Sequence, residues 1–223
     1  GIQRVRKAIE PMGNAKPDWL IISEIARRMG ASGFDFNNPS EIMQEIAKLT
    51  PSYGGVTYQR LEKVCLCWPC PDEESLGTPI LHVGTFVRGK GKFTSLIYKP
   101  PAELPDKEYP FVLTTGRSLY HYHTATMTRK VSGLNVLEPG GSVEISPVDA
   151  KKLKIGDGDQ VMVISRRGQV TAKTKVTEAC PLGVVYMHFH FAESAANILT
   201  NPVLDPVSKI PEFKVCAVRV EKI

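Results

Sequence analysis

Residues Val161–Val176 read VMVISRRGQVTAKTKV. Two runs of alternating character flank an Arg167-Gly168 tip, and a period of two puts every second side chain on one face of a strand. A β-hairpin follows from that alternation, and its neighbours extend it. Phe111–Thr115 is a short apolar run, Ser142–Ser146 (SVEIS) alternates, and Pro147–Lys154 is a short helix that ends in the turn IGDGDQ. Val184–His188 and Val215–Val220 bring the set to about six strands around one small helix. Many short strands at this spacing predict a closed or semi-closed barrel.

Upstream the period changes to that of a helix. Ile2, Val5, Ile9 and Met12 recur at helical spacing, with Arg4, Arg6 and Lys7 on the other face. In PDWLIISEIARRMG, Asp18 is expected to cap, Trp19, Ile22, Ala26 and Met29 form a stripe, and Gly30 stops the helix. A third helix opens at Asn38-Pro39-Ser40-Glu41, with Asn38 as cap and Glu41 as its capping-box partner. Ile42, Ile46 and Leu49 make its apolar face, and Thr50-Pro51 ends it. Regular pattern fades from Tyr53 to Gly91. KPPAELPDKEYP (Lys99–Pro110), with four prolines, reads as a stiff linker and divides the chain into 1–104 and 105–223.

With 223 residues and 42% apolar content, the chain can build a substantial core. Its net charge of +5 is spread evenly, 13 basic against 11 acidic residues before Leu104 and 15 against 12 from there on. Nucleic-acid binders concentrate such an excess in a patch, so no nucleic-acid partner is expected. Arg88-Gly-Lys90-Gly-Lys92 reads as a solvated loop. No apolar run is long enough to span a membrane. The chain opens Gly1-Ile2-Gln3, without Met or signal-peptide pattern, which suggests a piece of something longer. Five cysteines favour reduced thiols over a disulfide framework.

Three clusters carry chemistry. Cys65-Leu-Cys67-Trp-Pro-Cys70 offers three thiolates for zinc or an iron–sulfur cluster, but Cys180 and Cys216 lie far off, so packed thiols beside Trp68 are expected. His121-x-His123 and His188-x-His190 would converge four imidazoles if both stretches were extended. Hydrogen bonding is preferred over metal binding there, because no Asp or Glu cluster stands by to orient the rings. Gly116–Thr128 pairs a strand-ending glycine with Arg117, two imidazoles and the hydroxyls of Ser118, Thr124, Thr126 and Thr128. That set suits an anion such as pyrophosphate. The residues alone leave this open against a polar loop that satisfies its own backbone. Neither a Walker loop nor a Rossmann fingerprint occurs.

TGRSLYHYHTATMTR (residues 115–129) resembles the signature of the C-terminal domain of molybdopterin-guanine-dinucleotide oxidoreductases. The likeness is strongest to the catalytic alpha subunit of formate dehydrogenases, with periplasmic-type nitrate reductases close behind. It runs through IQRVRKAIEPMGNAKPDWLIISEIARRMG, WPCPDEESLGTPILH, FVRGKGKFTSLIYKPPAELPDKEYPFVLTTGR, SPVDAKKLKIGDGDQVMVISRRGQV and PEFKVCAVRV, so it covers essentially the whole chain. The resemblance implies an α/β fragment, its N-terminal part helical, over 1–104. After it comes a mostly β domain, a six-stranded double-psi β-barrel, over 105–223. It further implies a barrel that clamps bis-(molybdopterin guanine dinucleotide) carrying Mo or W. Thr115, Gly116, Arg117, Ser118, Leu119, Tyr120, His121, Tyr122, His123 and Thr124 match the dinucleotide-contacting loop, and Tyr186, Phe189, Asn197 and Lys214 match later contacts. Lys214 would serve phosphate as a point charge, Asn197 a guanine or pterin edge, and Phe189 a ring face.

The family's iron–sulfur cluster, its metal-ligating Cys or selenocysteine and its substrate-handling His and Arg have no counterpart in this chain. The chain by itself is therefore expected to be catalytically silent. Its expected partners are the rest of its own catalytic subunit and electron-transfer subunits, and its expected compartment is the cytoplasm. A nitrate reductase portion is the alternative within the class, and a stand-alone metal-binding module is the alternative outside it.

Overall fold

The computed structural model describes residues Gly1–Ile223, and contacts divide it into two units, Gly1–Ser95 and Leu96–Ile223. The first unit is helical and loop-rich. Helix α1 spans Asp18–Arg28, α2 Pro39–Leu49 and α3 Tyr58–Leu61. Gly30 closes α1 in the left-handed region, donating to Arg27 O while Ala31 donates to Ala26 O, the two bonds of a Schellman stop. Asn38 Oδ1 accepts from the N–H groups of Ser40 and Glu41, the expected cap of α2. The Glu41 carboxylate accepts from the backbone and side chain of Asn37, which hold it below the usual carboxylate range.

Two expectations fail in this unit. No helix forms over Ile2–Met12. Ile2 instead makes an antiparallel bridge with Leu66, and Val5, Ile9 and Met12 stand exposed. A helical stripe without a surface to bury it gains too little to offset its ordering cost. Asp18 does not cap α1 either. Pro17 holds the cap position, and Asp18 is the first helical residue, where its charge still suits the helix dipole. The unit's core is a small cluster of Val56, Leu61, Leu66 and Cys70, with Ile2, Met43 and Tyr53 against it.

In the second unit all six expected strands form, and alternation is cleanest in the second and fourth of them. The strands are β1 (Phe111–Gly116), β2 (Ser142–Ile145), β3 (Gln160–Ile164), β4 (Gln169–Val176), β5 (Val184–His188) and β6 (Cys216–Lys222). They close into a barrel of order β1-β5-β2-β4-β3-β6. β1 pairs with β5 and β2 with β4 in parallel, and the other four neighbours are antiparallel, the interleaving of a double-psi barrel. Leu113, Val143, Ile145, Val161, Val163, Val185, Met187 and Val218 fill its interior without exposure. Each such side chain contributes roughly 1.5–3 kcal/mol by leaving water.

Two short helices interrupt the strands, α4 (Ser132–Leu137) and α5 (Pro147–Leu153). Ser165 N–H donates to Gly168 O and so closes the tip of the β3–β4 hairpin. The proline-rich stretch 99–110 lies within this unit. There Glu103 pairs with Arg166 and Arg167, and Asp106 with Arg166. No helix in the chain is long and apolar enough to cross a membrane.

Candidate functional site at the ends of β1 and β5

Because β1 and β5 run parallel with Gly116 opposite His188, the segments that leave both strands emerge side by side. Gly116 is required there: a Cβ would stand 2.5 Å from the Tyr186 hydroxyl. That hydroxyl donates to Arg117 O at 3.0 Å, and Phe189 N–H donates to Gly116 O at 3.1 Å. Burial, helped by the Glu144 and Glu138 carboxylates, pushes the Tyr186 phenol up, so it remains a donor at neutral pH. Buried Thr115 donates its hydroxyl to Phe213 O at 2.8 Å, and the Lys214 ammonium donates to Thr115 O. The exposed Arg117 guanidinium lies 5.8 Å from the Phe189 ring centre. The barrel thus brings Thr115, Gly116, Arg117, Tyr186, Phe189 and Lys214 together.

The loop that follows sorts its residues by side. Leu119, Tyr120, Tyr122, His123 and Thr124 face solvent, while Ser118 and His121 are buried. Ser118 Oγ accepts from Tyr120 N–H at 3.3 Å and stands 3.5 Å from the Glu138 carboxylate. His121 reaches Glu138 O through Nε2 at 2.8 Å and the Thr128 hydroxyl through Nδ1 at 3.2 Å. Thr124 and Thr126 share a hydroxyl contact at 3.3 Å. Asn197 stands apart, on the 3-10 turn Ala196–Ile198, whose Ile198 lies against Gly168 of the β3–β4 hairpin.

The four-imidazole arrangement does not form. His121, His188 and His190 gather around Phe191, with ring centres of 5.6, 5.9 and 4.3 Å to it in that order. His123 turns away in the left-handed region, φ +50, because 121–124 is a loop and the two-residue alternation of a strand does not apply. No group of three or more His, Cys, Asp or Glu is arranged to hold a metal ion. Burial, reinforced by His188 and His121, lowers His190 to about 4, so its ring is neutral. Both its nitrogens, His188 Nδ1 and Ser194 Oγ are buried without a partner. Glu138, Phe191 and Ser194 went unnoticed in the sequence. The first His-x-His pair leads to Glu138 through His121, and the second lies against Phe191.

Among the cysteines, Cys65 is exposed, Cys67 half-buried and Cys70 buried, with Cys70 Sγ 3.5 Å from an Arg60 nitrogen. They form no shared centre.

An exposed guanidinium and an ammonium stand beside a glycine whose missing side chain makes room for the Tyr186 ring, and with the Phe189 face adjacent this set suits a phosphorylated ligand with ring systems. Residues 111–217 match the molydopterin dinucleotide binding domain. These residues belong to that family. The whole chain is 51% identical over 227 residues to the F420-dependent formate dehydrogenase subunit alpha of Methanocaldococcus jannaschii, covering 33% of that protein. A nitrate reductase of Symbiobacterium thermophilum is 39% identical over 247 residues, matched along 99% of this chain and 32% of its own length. The chain therefore spans about a third of the curated relatives it matches. Acetylene hydratase from Pelobacter acetylenicus superposes with a TM-score of 0.68 over 98% of this chain and 34% of its own, at 17% identity, which speaks to fold alone. The molydopterin dinucleotide binding domain accordingly coincides with the barrel, and its β1 end carries the Arg117 loop.

Proposed function

We propose that this chain is the cofactor-clamping portion of a molybdenum- or tungsten-dependent formate dehydrogenase, which oxidises formate to carbon dioxide with release of two electrons and a proton. One observation carries the reading: the β1 and β5 ends place the Arg117 guanidinium, its backbone and Phe189 on one open rim. Bound there, a bis-(molybdopterin guanine dinucleotide) centre supplies the redox chemistry. The chain supplies binding and orientation. Arg117 would grip a phosphate through its planar fork, Lys214 would add charge, and Tyr120, Tyr122 and Phe189 offer ring faces. Gly116, Leu119, His123, Thr124 and Asn197 belong to the same proposed contact set, with Thr115, Ser118 and Tyr186 shaping the rim beneath. The remainder of the catalytic subunit and electron-transfer subunits are the proposed partners, in the cytoplasm. Formate is favoured over nitrate because identity is 51% to the formate dehydrogenase subunit and 39% to the nitrate reductase.

Arg117→Ala in the full-length protein tests the reading. Loss of charge-assisted bonds worth about 1.5–3 kcal/mol should lower pterin-dinucleotide content about tenfold or more, together with formate-dependent dye reduction. Content equal to wild type would overturn the assignment. Reduction of nitrate without oxidation of formate would move the protein to the second class.

A further inference from the structure

We infer that His121 is a positioning residue: held as the Nε2–H tautomer, it latches the rim loop from beneath. This rests on the proposed cofactor reading and deepens it. The family likeness places His121 among the contacts, yet its side chain is only 3% exposed and both ring nitrogens are already engaged.

The bonding sets the direction of each contact. The Glu138 carbonyl can only accept, so Nε2 carries a proton and donates across the 2.8 Å contact. With Nε2 as the donor, Nδ1 serves as the acceptor of a hydrogen bond from the Thr128 hydroxyl at 3.2 Å. The freed lone pairs of that hydroxyl accept Tyr122 N–H, also at 3.2 Å. A directed chain results: Tyr122 N–H to Thr128 Oγ, Thr128 O–H to His121 Nδ1, His121 Nε2–H to Glu138 O. Every donor has one acceptor and the sequence has no internal conflict.

The positions of the partners make this chain a latch. Thr128 begins the 3-10 turn Thr128–Lys130, and Glu138 follows the last residue of α4. One imidazole therefore ties the middle of the loop to both ends of the segment that follows it, across 7 and 17 residues. The Phe191 ring meets the imidazole edge-on at 5.6 Å and fixes its plane. With His121 pinned inward, Tyr122, His123 and Thr124 must face outward, where His123 and Ala125 hold left-handed backbone. The side chains offered to the ligand are thus aimed by one that does not touch it.

The test uses the full-length protein, with hydrogen exchange of residues 118–128 read on the cofactor-free form and pterin-dinucleotide content read separately. His121→Phe keeps the ring shape and removes both bonds. Exchange in 118–128 should quicken about tenfold or more and content should fall severalfold. Thr128→Val, a milder change on the partner side, should move both readouts in the same direction by less. His121→Gln, which restores an amide N–H near the Nε2 position, should recover most of the protection. Lost content with unchanged exchange in His121→Phe would make His121 a direct contact and overturn the latch, as would no change in either readout. If His121→Phe does not fold, unaltered exchange in Thr128→Val overturns it equally. Arg117→Ala separates this inference from the one it rests on. It should lower content and leave exchange alone, and normal content there would sink the cofactor reading whatever His121 does.

Discussion

The two units of this chain are built from similar apolar content but satisfy it differently. In the barrel every strand turns an apolar face inward, and closure leaves no sheet edge, so its interior is complete within 128 residues of Leu96–Ile223. In the first unit only Val56, Leu61, Leu66 and Cys70 form a buried cluster, while Ile22, Ile25 and Met29 of α1 and Ile46 and Leu49 of α2 face solvent. The comparison teaches that an amphipathic period specifies an element, whereas only a closed arrangement guarantees the element a partner. It also bears on the proposed function. A rim loop can be aimed accurately only from a frame that does not yield, and β1 and β5 provide one.

Leucine deletion is the strongest way to break the comparison. Leu113 and Leu66 are both fully buried. Leu113→Ala should cost about 3–4 kcal/mol, because a closed barrel cannot collapse around the cavity. Leu66→Ala should cost nearer 2 kcal/mol, since the small cluster around it can relax. Urea titration followed by hydrogen exchange would resolve the two units. Equal losses would show that the first unit is packed as rigidly as the barrel.

Acid sharpens the contrast, because the barrel end carries the buried histidines. His190 falls from 6.5 to about 4 through burial and the nearby His188 and His121, with Arg129 acting in the same sense and Glu193 against it. Burial lowers His188 as well. Between pH 6.5 and about 4 the unfolded chain therefore binds protons that the folded barrel refuses. Stability should decline as pH falls through that window and be unaffected by these rings above it. The His190 share is at most about 3 kcal/mol. His190→Phe should flatten the decline in the urea midpoint of the barrel. A slope identical to wild type would mean that the ring is solvated when folded.

How far the sequence reveals these features depends on what kind of information each one needs. The strands were legible to within two residues at each end, since Val161, Val163, Val170 and Ala172 announce one buried face. Asn38-Pro39 likewise named the start of α2, because capping is local chemistry. The stripe Ile2–Met12 misled for the opposite reason. Whether a stripe meets a surface is not written in the stripe, and Ile2 found Leu66, 64 residues away in sequence, as a bridge partner instead. At the site, Gly116 and Arg117 stood out by type. The division between inward His121 and outward His123 did not, for a loop has no period and its sides are set by distant partners such as Glu138.

Capping should give the smallest effect and the finest comparison. Asn38 caps an exposed helix start, where water can replace its oxygen once it is gone. Ser146 is buried: its Oγ accepts from Asp149 N–H at 3.1 Å and donates to the Asp149 carboxylate at 2.9 Å, which also accepts Gly183 N–H at 2.7 Å. Burial raises that carboxyl, but the Gly183 N–H, the Ser146 hydroxyl and Lys152 outweigh it and hold Asp149 below the usual carboxylate range. Ser146→Ala would strand a buried charge short of a donor as well as opening the cap of α5, so it should cost near 2 kcal/mol, against about 0.5–1 kcal/mol for Asn38→Ala. Paired urea midpoints for the two units decide the matter. If the exposed cap proved the more costly, the strength of these caps would follow from helix length, eleven residues in α2 against seven in α5, and not from the dry surroundings of the barrel.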